Sequence, residues 1–335
     1  MPRKHAVVAL ALLLALGSAG CGGSRDALTI YSGWTQNLIG PLLERFNKET
    51  GIAIDVKYGD SAELALLLAE EGDRTPADVF LSQRPGATGF LAGKGRLGRL
   101  EAAVLDRVDP RFRNADGRWV GISGRQRVLV YNAEEVTRAE LPESVLELTD
   151  GRYAGKVAVA PANGSFQDFV TAMRQLEGED ATAAWLKAMA ANESRTYANN
   201  NAIVEAVSRG EVEMGLVNHY YNHRFRQENP ATPSRNHTFA DGDVGALVIP
   251  STASVLAGTD KAQEARRFVE FLVSAGSQRY FSDQTFEYPL VTGIPAAAGL
   301  PPLASLRPPD LDVDALGGGL ERTVELIRSS GLDGV

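Results

Sequence analysis

Ala27-Leu28-Thr29-Ile30-Tyr31-Ser32-Gly33 opens the part of the chain that decides its fold. Residues 27–31 read as a short strand by composition, and the Ser32-Gly33 pair ends it as a turn. Residues 37–49 follow with Leu38, Leu42, Leu43 and Phe46 on one side, the spacing of an amphipathic helix that Gly51 closes. Ile52 to Val56 reads as a second strand, Ser61 to Glu71 as a second helix with Ser61 as its cap, and Ala77 to Leu81 as a third strand. Strand and helix alternate from the start, which is the pattern of an α/β sheet with mostly parallel strands.

The same alternation resumes at Lys156–Ala160, with a helix from about Ser165, a helix over roughly Asn201–Arg209 and a strand over Val212–Val217. Between the two α/β regions, Trp119–Tyr131 is long enough to cross from one lobe to the other, and Gly245–Ile249 is placed to carry the chain back. The helix at Gln263–Val273 would then pack on the first lobe. The expected organisation is a leader at 1–20, a tether at 21–26, a first lobe of 27–122 plus 250–335, and a second lobe of 123–249. Two lobes joined by two crossing strands leave a cleft, lined by loops at the C-terminal ends of parallel strands.

Composition limits what the cleft can hold. The chain has 335 residues, 44% hydrophobic and 23% charged, which suits a folded two-lobed protein. Its net charge is −8, with no strongly basic segment to offset it, so nucleic acid is excluded as the main partner. Its single cysteine forms no internal disulfide and no cysteine-based metal cluster. That residue, Cys21, follows a basic Arg3-Lys4, an apolar run from Ala6 to Leu16 and the small residues Gly17-Ser18-Ala19-Gly20. The apolar run is too short to span a bilayer but suits an export signal, and small residues ending at cysteine resemble the bacterial lipoprotein cleavage site. The expectation is an exported protein, lipidated at Cys21, with Gly22-Gly23-Ser24 as a flexible tether.

Several motifs fail on context. Gly93-Lys94-Gly95-Arg96-Leu97-Gly98 has the dinucleotide spacing but follows a helix end rather than a buried strand. Asp310, Asp312, Asp314 and Glu321 have calcium-loop spacing, yet Ala315 stands where the sharp turn needs glycine. No nucleophile elbow, HExxH or P-loop is present, so no catalytic set is expected. Val217-Asn218-His219-Tyr220-Tyr221-Asn222-His223 is different, because it follows a strand and falls at the cleft mouth. Adjacent tyrosines on a strand exit or helical turn can converge their phenol oxygens. Phenolate is a hard anionic donor suited to Fe³⁺, and a bound cation favours its deprotonation. The same pair also suits a simple aromatic cover for a sheet end.

With the leader and Cys21, the segments Thr29–Gly33, Thr75–Phe80, Ser123–Val128, Tyr197–Asn200, Val217–Tyr221 and Thr285–Leu290 resemble, in order, the ferric-iron-binding proteins of bacterial ABC importers. The resemblance implies a class II periplasmic-binding-protein fold and an extracytoplasmic receptor, monomeric and non-enzymatic. Such a receptor delivers Fe³⁺ to a permease and its ATPase from the periplasm or the outer face of the cell membrane. It carries Tyr220 and Tyr221 across as phenolate ligands. Where several members have a histidine and a glutamate, this chain has Thr35 and Gln83, and Asn163–Phe166 holds no third tyrosine. Two phenolates leave Fe³⁺ with a formal positive charge, so water, carbonate, phosphate or citrate must complete the shell. The resemblance places that anion at Asn163-Gly164-Ser165, a strand-to-helix turn with free amides, beside Asn200 and Asn218. Arg125 and Arg127 share one face of an extended strand, as a charged fork for the anion or as a solvated strand edge. His219 and His223 are expected to be solvent-exposed neighbours rather than replacement ligands. The other readings are a receptor for an iron chelate or a metal-free organic anion, an exported enzyme using Tyr220 or His219, and a sensory lipoprotein.

Overall fold

The computed structural model describes residues 26–332, so the expected leader, Cys21 and nearly all of the tether lie outside the described residues. In the first lobe, β1 (Leu28–Ser32), α1 (Gln36–Thr50), β2 (Ile54–Tyr58), α2 (Ser61–Glu71), β3 (Val79–Ser82) and α3 (Pro85–Gly93) alternate as expected. Buried Ile39, Leu42, Leu43 and Phe46 of α1 pack on the sheet. The cap of α2 is Asp60, not Ser61: its Oδ1 accepts from the amides of Ala62 and Glu63, at 2.8 and 3.3 Å. Ser61 is buried, and its hydroxyl instead accepts from the Gln83 amide at 3.1 Å. It thereby ties the start of α2 to the loop after β3.

After the short α4 (Ala102–Leu105), β4 (Val120–Asn132) runs for 13 residues, all of them buried. The second lobe follows with β5 (Val157–Val159), α5 (Gly164–Leu176), α6 (Glu179–Ala191), β6 (Arg195–Thr196), α7 (Asn200–Ser208), β7 (Met214–Asn218), α8 (His219–Glu228) and β8 (Ser234–His237). The chain returns along β9 (Val248–Val255), antiparallel to both β3 and β4. The strand order is β2-β1-β3-β9-β4-β7-β5-β6, parallel within each lobe and antiparallel where β4 and β9 run. β4 belongs to both halves of this sheet, pairing with β9 over residues 120–126 and with β7 over residues 127–131. Its two ends lie under separate cores, so the molecule is two-lobed with β4 as the main bridge.

After β9, α9 (Ala262–Leu272), α10 (Ala275–Tyr280) and β10 (Tyr288–Pro289) return to the first lobe, where Phe268 meets Phe46 edge-on at 5.0 Å. The expectation that all of 250–335 belongs there fails for the last helix, α11 (Leu320–Ser330). Leu326 and Ile327 join the second core, Thr171 and Thr323 share a 2.8 Å hydroxyl contact, and Arg322 pairs with Glu179 of α6. The apolar face of α11 is covered by α5 and α6 of the second lobe.

The turn before α11 still rests on the first lobe. Asp314 accepts from Trp119 Nε1 and Asn114 Nδ2, both at 2.6 Å. The backbones approach so closely that a Cβ on Gly89 would lie 2.5 Å from the Asp314 carbonyl oxygen. Gly89→Ala is therefore expected to cost about 1–3 kcal/mol, the usual penalty of overpacking. Urea unfolding checks this, and an unchanged midpoint would mean that the 312–318 segment is free to lift off α3.

Candidate metal and anion site in the interlobe cleft

β7 ends at Asn218 and α8 begins at once, which puts Tyr220 and Tyr221 in its first turn. Their rings stack with centroids 4.2 Å apart, inclined by 28°. Tyr220 is 4% exposed and Tyr221 partly exposed. Burial pushes the Tyr220 phenol well above its usual pKa, aided by Tyr221 and Glu287 and opposed by Arg125. It is thus a neutral phenol at ordinary pH. Among the described residues no group of three or more His, Cys, Asp or Glu is placed to hold a metal, and the phenol oxygens of the pair are hard donors by chemical type.

The turn into α5 is linked to the pair through Arg127, which reaches Ser165 and feels the charge of Tyr221. Asn163 Oδ1 accepts from the Ser165 amide at 3.0 Å, the Ser165 hydroxyl at 2.7 Å and Asn200 Nδ2 at 3.1 Å. Asn200 Nδ2 also donates to Ser165 Oγ at 3.0 Å. Asn218, buried, pairs in register with Arg127. Arg125 and Arg127 do not form a solvated edge, because both are buried. Arg125 donates to the Gln83 carbonyl, binding the crossing strand to the loop after β3. Arg127 is 2% exposed, lies 5.3 Å over the Phe169 ring, and reaches Ser165 Oγ at 3.4 Å and the Leu216 carbonyl at 3.0 Å. Its Nε has no partner and no carboxylate bonds to it among the described residues. Burial lowers its pKa to about 9, against the influence of Tyr221 and Asp168. The expected free amides are largely taken, because Ser165 donates to its cap Asn163 and the Phe166 and Gln167 amides donate to the Asn163 carbonyl. The buried guanidinium beside this helix N-terminus is the stronger attraction for an anion.

Neither position that replaces a usual ligand is directed to the tyrosines by a hydrogen bond. Thr35 is exposed and donates to Asn37 Oδ1 at 2.6 Å. Gln83 is held through its backbone, by Ser61 at the amide and Arg125 at the carbonyl. The histidines correct expectation in part. His219 is buried: its Nδ1 accepts from the Gln126 amide at 3.1 Å, which leaves the proton on Nε2 for the Phe286 carbonyl at 2.8 Å. Burial drops its pKa to about 3, so it is a neutral structural link between β4 and the 286 turn. His223 is partly buried against Phe286, with ring centroids 4.8 Å apart.

Three residues not anticipated from sequence complete the surroundings. Arg84, after β3, forms a 3.2 Å ion pair with Asp168 of α5 across the cleft and lies against Gly164, where a Cβ would sit 3.2 Å from its guanidinium carbon. Arg224 sits over the Tyr220 ring at 5.6 Å, with a buried nitrogen that lacks a partner. Glu287 is 1% exposed and accepts from the Ser123 hydroxyl. A π-turn over Phe281–Thr285 and the left-handed Phe286, φ 59°, turn its side chain inward; a bulky residue adopts that φ only where surroundings enforce it. Of these, only the positive charge of the arginines was visible in the sequence.

Burial raises the Glu287 carboxyl from 4.5 to about 7, against Arg125, the Ser123 hydrogen bond and Arg224. The folded protein then holds this proton more tightly than the unfolded chain. Its stabilising contribution is full below about pH 4.5 and is lost as pH rises through about 7. Glu287→Gln is expected to flatten that fall by a few kcal/mol, at about 1.4 kcal/mol per pH unit. Urea unfolding at mildly acid and mildly alkaline pH measures it, and parallel slopes for both proteins would refute the assignment.

Comparison with known proteins supplies the family. Residues 74–313 match the family model described as bacterial extracellular solute-binding protein. The chain is 34% identical, over 98% of its length and 96% of the relative's, to the Fe(3+)-binding periplasmic protein of Serratia marcescens. Its fold superposes on iron-bound HitA from Pseudomonas aeruginosa with a TM-score of 0.85 at 35% identity, covering 91% of this chain and 99% of that one. It also superposes on the Trichodesmium IdiA/FutA protein in complex with iron and citrate, with a TM-score of 0.80 at 26% identity and the same coverage. The chain belongs to the bacterial extracellular solute-binding proteins, within the ferric-iron-binding group.

Proposed function

We propose that this protein captures Fe³⁺ between its lobes through the phenolates of Tyr220 and Tyr221, with an anion as co-ligand, and passes it to an ABC permease and ATPase. The observation that carries this is the stacked phenol pair beside a buried Arg127 that has no carboxylate partner. Two phenolates leave Fe³⁺ one positive charge, and Arg127 adds another within reach of Ser165, so an anion at the Asn163-Gly164-Ser165 turn neutralises both. Asn200 braces that turn, Asn218 ends the strand behind it, and Arg125 fixes the opposite loop. Citrate, the ligand found with iron in the Trichodesmium relative, is one such anion; carbonate and phosphate meet the same charge requirement. Export and lipidation at Cys21 would hold this monomeric receptor at the membrane face where its permease lies. Arg84 and Asp168 close the cleft mouth, and rotation about β4 and β9 would open it.

A second reading keeps the fold and changes the cargo. Thr35 and Gln83 supply no strong ligand, which favours a receptor for a preformed iron chelate or a metal-free organic anion. The visible spectrum of purified protein with Fe³⁺, in carbonate, phosphate or citrate, separates the readings. A broad phenolate-to-iron charge-transfer band is expected. Its absence with all three anions would overturn the ferric reading in favour of the second.

A further inference from the structure

β4 carries two different chemistries. Arg125 and Arg127 lie on one face of the strand, while the alternate residues Gln126 and Val128, with His219, line a cavity of about 460 Å³ whose lining includes neither tyrosine of the pair nor the Asn163–Ser165 turn. That volume lies in the range of small-ligand sites, roughly 300–1,000 Å³. Arg138, Arg226 and Arg235 line it together with His223, and none of its lining residues is acidic. None of the three arginines forms an ion pair among the described residues, in a protein whose net charge is −8. Arg235 spends one nitrogen on the Thr232 and Ser234 carbonyls, each at 2.7 Å, and so is held in place. Gln126 Oε1 accepts from the Tyr288 hydroxyl at 3.4 Å, which leaves its amide hydrogens for a ligand. Val128, Leu300 and Pro301 give the cavity an apolar wall.

We propose that this cavity is a second ligand site, for a small organic polyanion with two or three carboxylates on a carbon skeleton. Guanidinium groups pair carboxylates in bidentate fashion, and the apolar wall accommodates the skeleton. The lining comes from the second lobe through α8 and β8, and from the chain returning to the first lobe through Tyr288, Leu300 and Pro301. An occupant therefore touches elements of both lobes, and its affinity is coupled to how far the lobes are closed. The inference does not rest on iron binding.

The test is calorimetric titration of citrate, and separately of tricarballylate, into the iron-free protein. Arg127→Met with Ser165→Ala disables the cleft site; Arg226→Ser with Arg235→Ser disables the second one. Binding that survives the first pair and weakens at least tenfold in the second supports the proposal. Equal binding in wild type and the second variant, or no binding to wild type at millimolar concentrations, overturns it. The conservative pair Arg226→Lys with Arg235→Lys should retain part of the affinity, and loss equal to the serine pair would point to damaged folding and count against the site.

Discussion

Replacing Tyr220 and Tyr221 together by phenylalanine is expected to abolish the ferric charge-transfer band and lower Fe³⁺ affinity by at least about 1,000-fold, roughly 4 kcal/mol. The substitution removes two oxygens and nothing else. The rings remain to stack at 4.2 Å, and Arg224 keeps an aromatic face beneath it. Stability should therefore stay within about 0.5–1 kcal/mol of wild type, which thermal unfolding verifies. Because burial holds the Tyr220 phenol far above its usual pKa, iron must displace a proton to bind there. Affinity should fall as pH falls, and Tyr220→Phe alone should make that dependence shallower. Gln83→Ala should matter far less, since the contacts of Gln83 run through its backbone. Unchanged iron affinity in the double variant, or an equal loss at Gln83, would show that the coordination shell lies elsewhere.

What was legible in the sequence was what is local. The strand–helix alternation from Leu28 to Ser82 and the strand-to-helix exit at Asn218 are set by residue spacing and turn chemistry. What was not legible depended on partners distant in the chain. The apolar stripe of α11 fits either lobe, and only the shapes of α5 and α6 choose the second. Arg127 reads equally as a solvated strand edge or as part of a charged fork, and its burial appears only once Phe166 and Phe169 close over it. His219 looks like a loop histidine, yet the Gln126 amide and the Phe286 carbonyl, both far away in sequence, consume its two nitrogens. Glu287 lies in the Thr285–Leu290 segment that carries the resemblance, but nothing in that segment showed its burial, which depends on the π-turn before it and on Ser123 across the sheet.

Arg127→Met provides the second large effect, and its two halves have opposite signs. In the iron-free protein Arg127 is a cation with no carboxylate in hydrogen-bond contact: its Nε is unpaired and its contact with Ser165 is long at 3.4 Å. A methionine fills much the same space against Phe166 and Phe169 and brings no charge to desolvate. Replacing a poorly compensated buried ion by an apolar side chain is often neutral, or stabilising by about 1–4 kcal/mol. The iron-free variant should therefore unfold at the same or higher urea concentration. Iron affinity with citrate present should meanwhile fall about 100-fold, roughly 2.8 kcal/mol, because the anion loses its one fully buried cation. A purely structural arginine would behave in the reverse way, with stability lost and iron affinity kept. A site that spends stability on a charge it does not use when empty is organised around the charge that arrives.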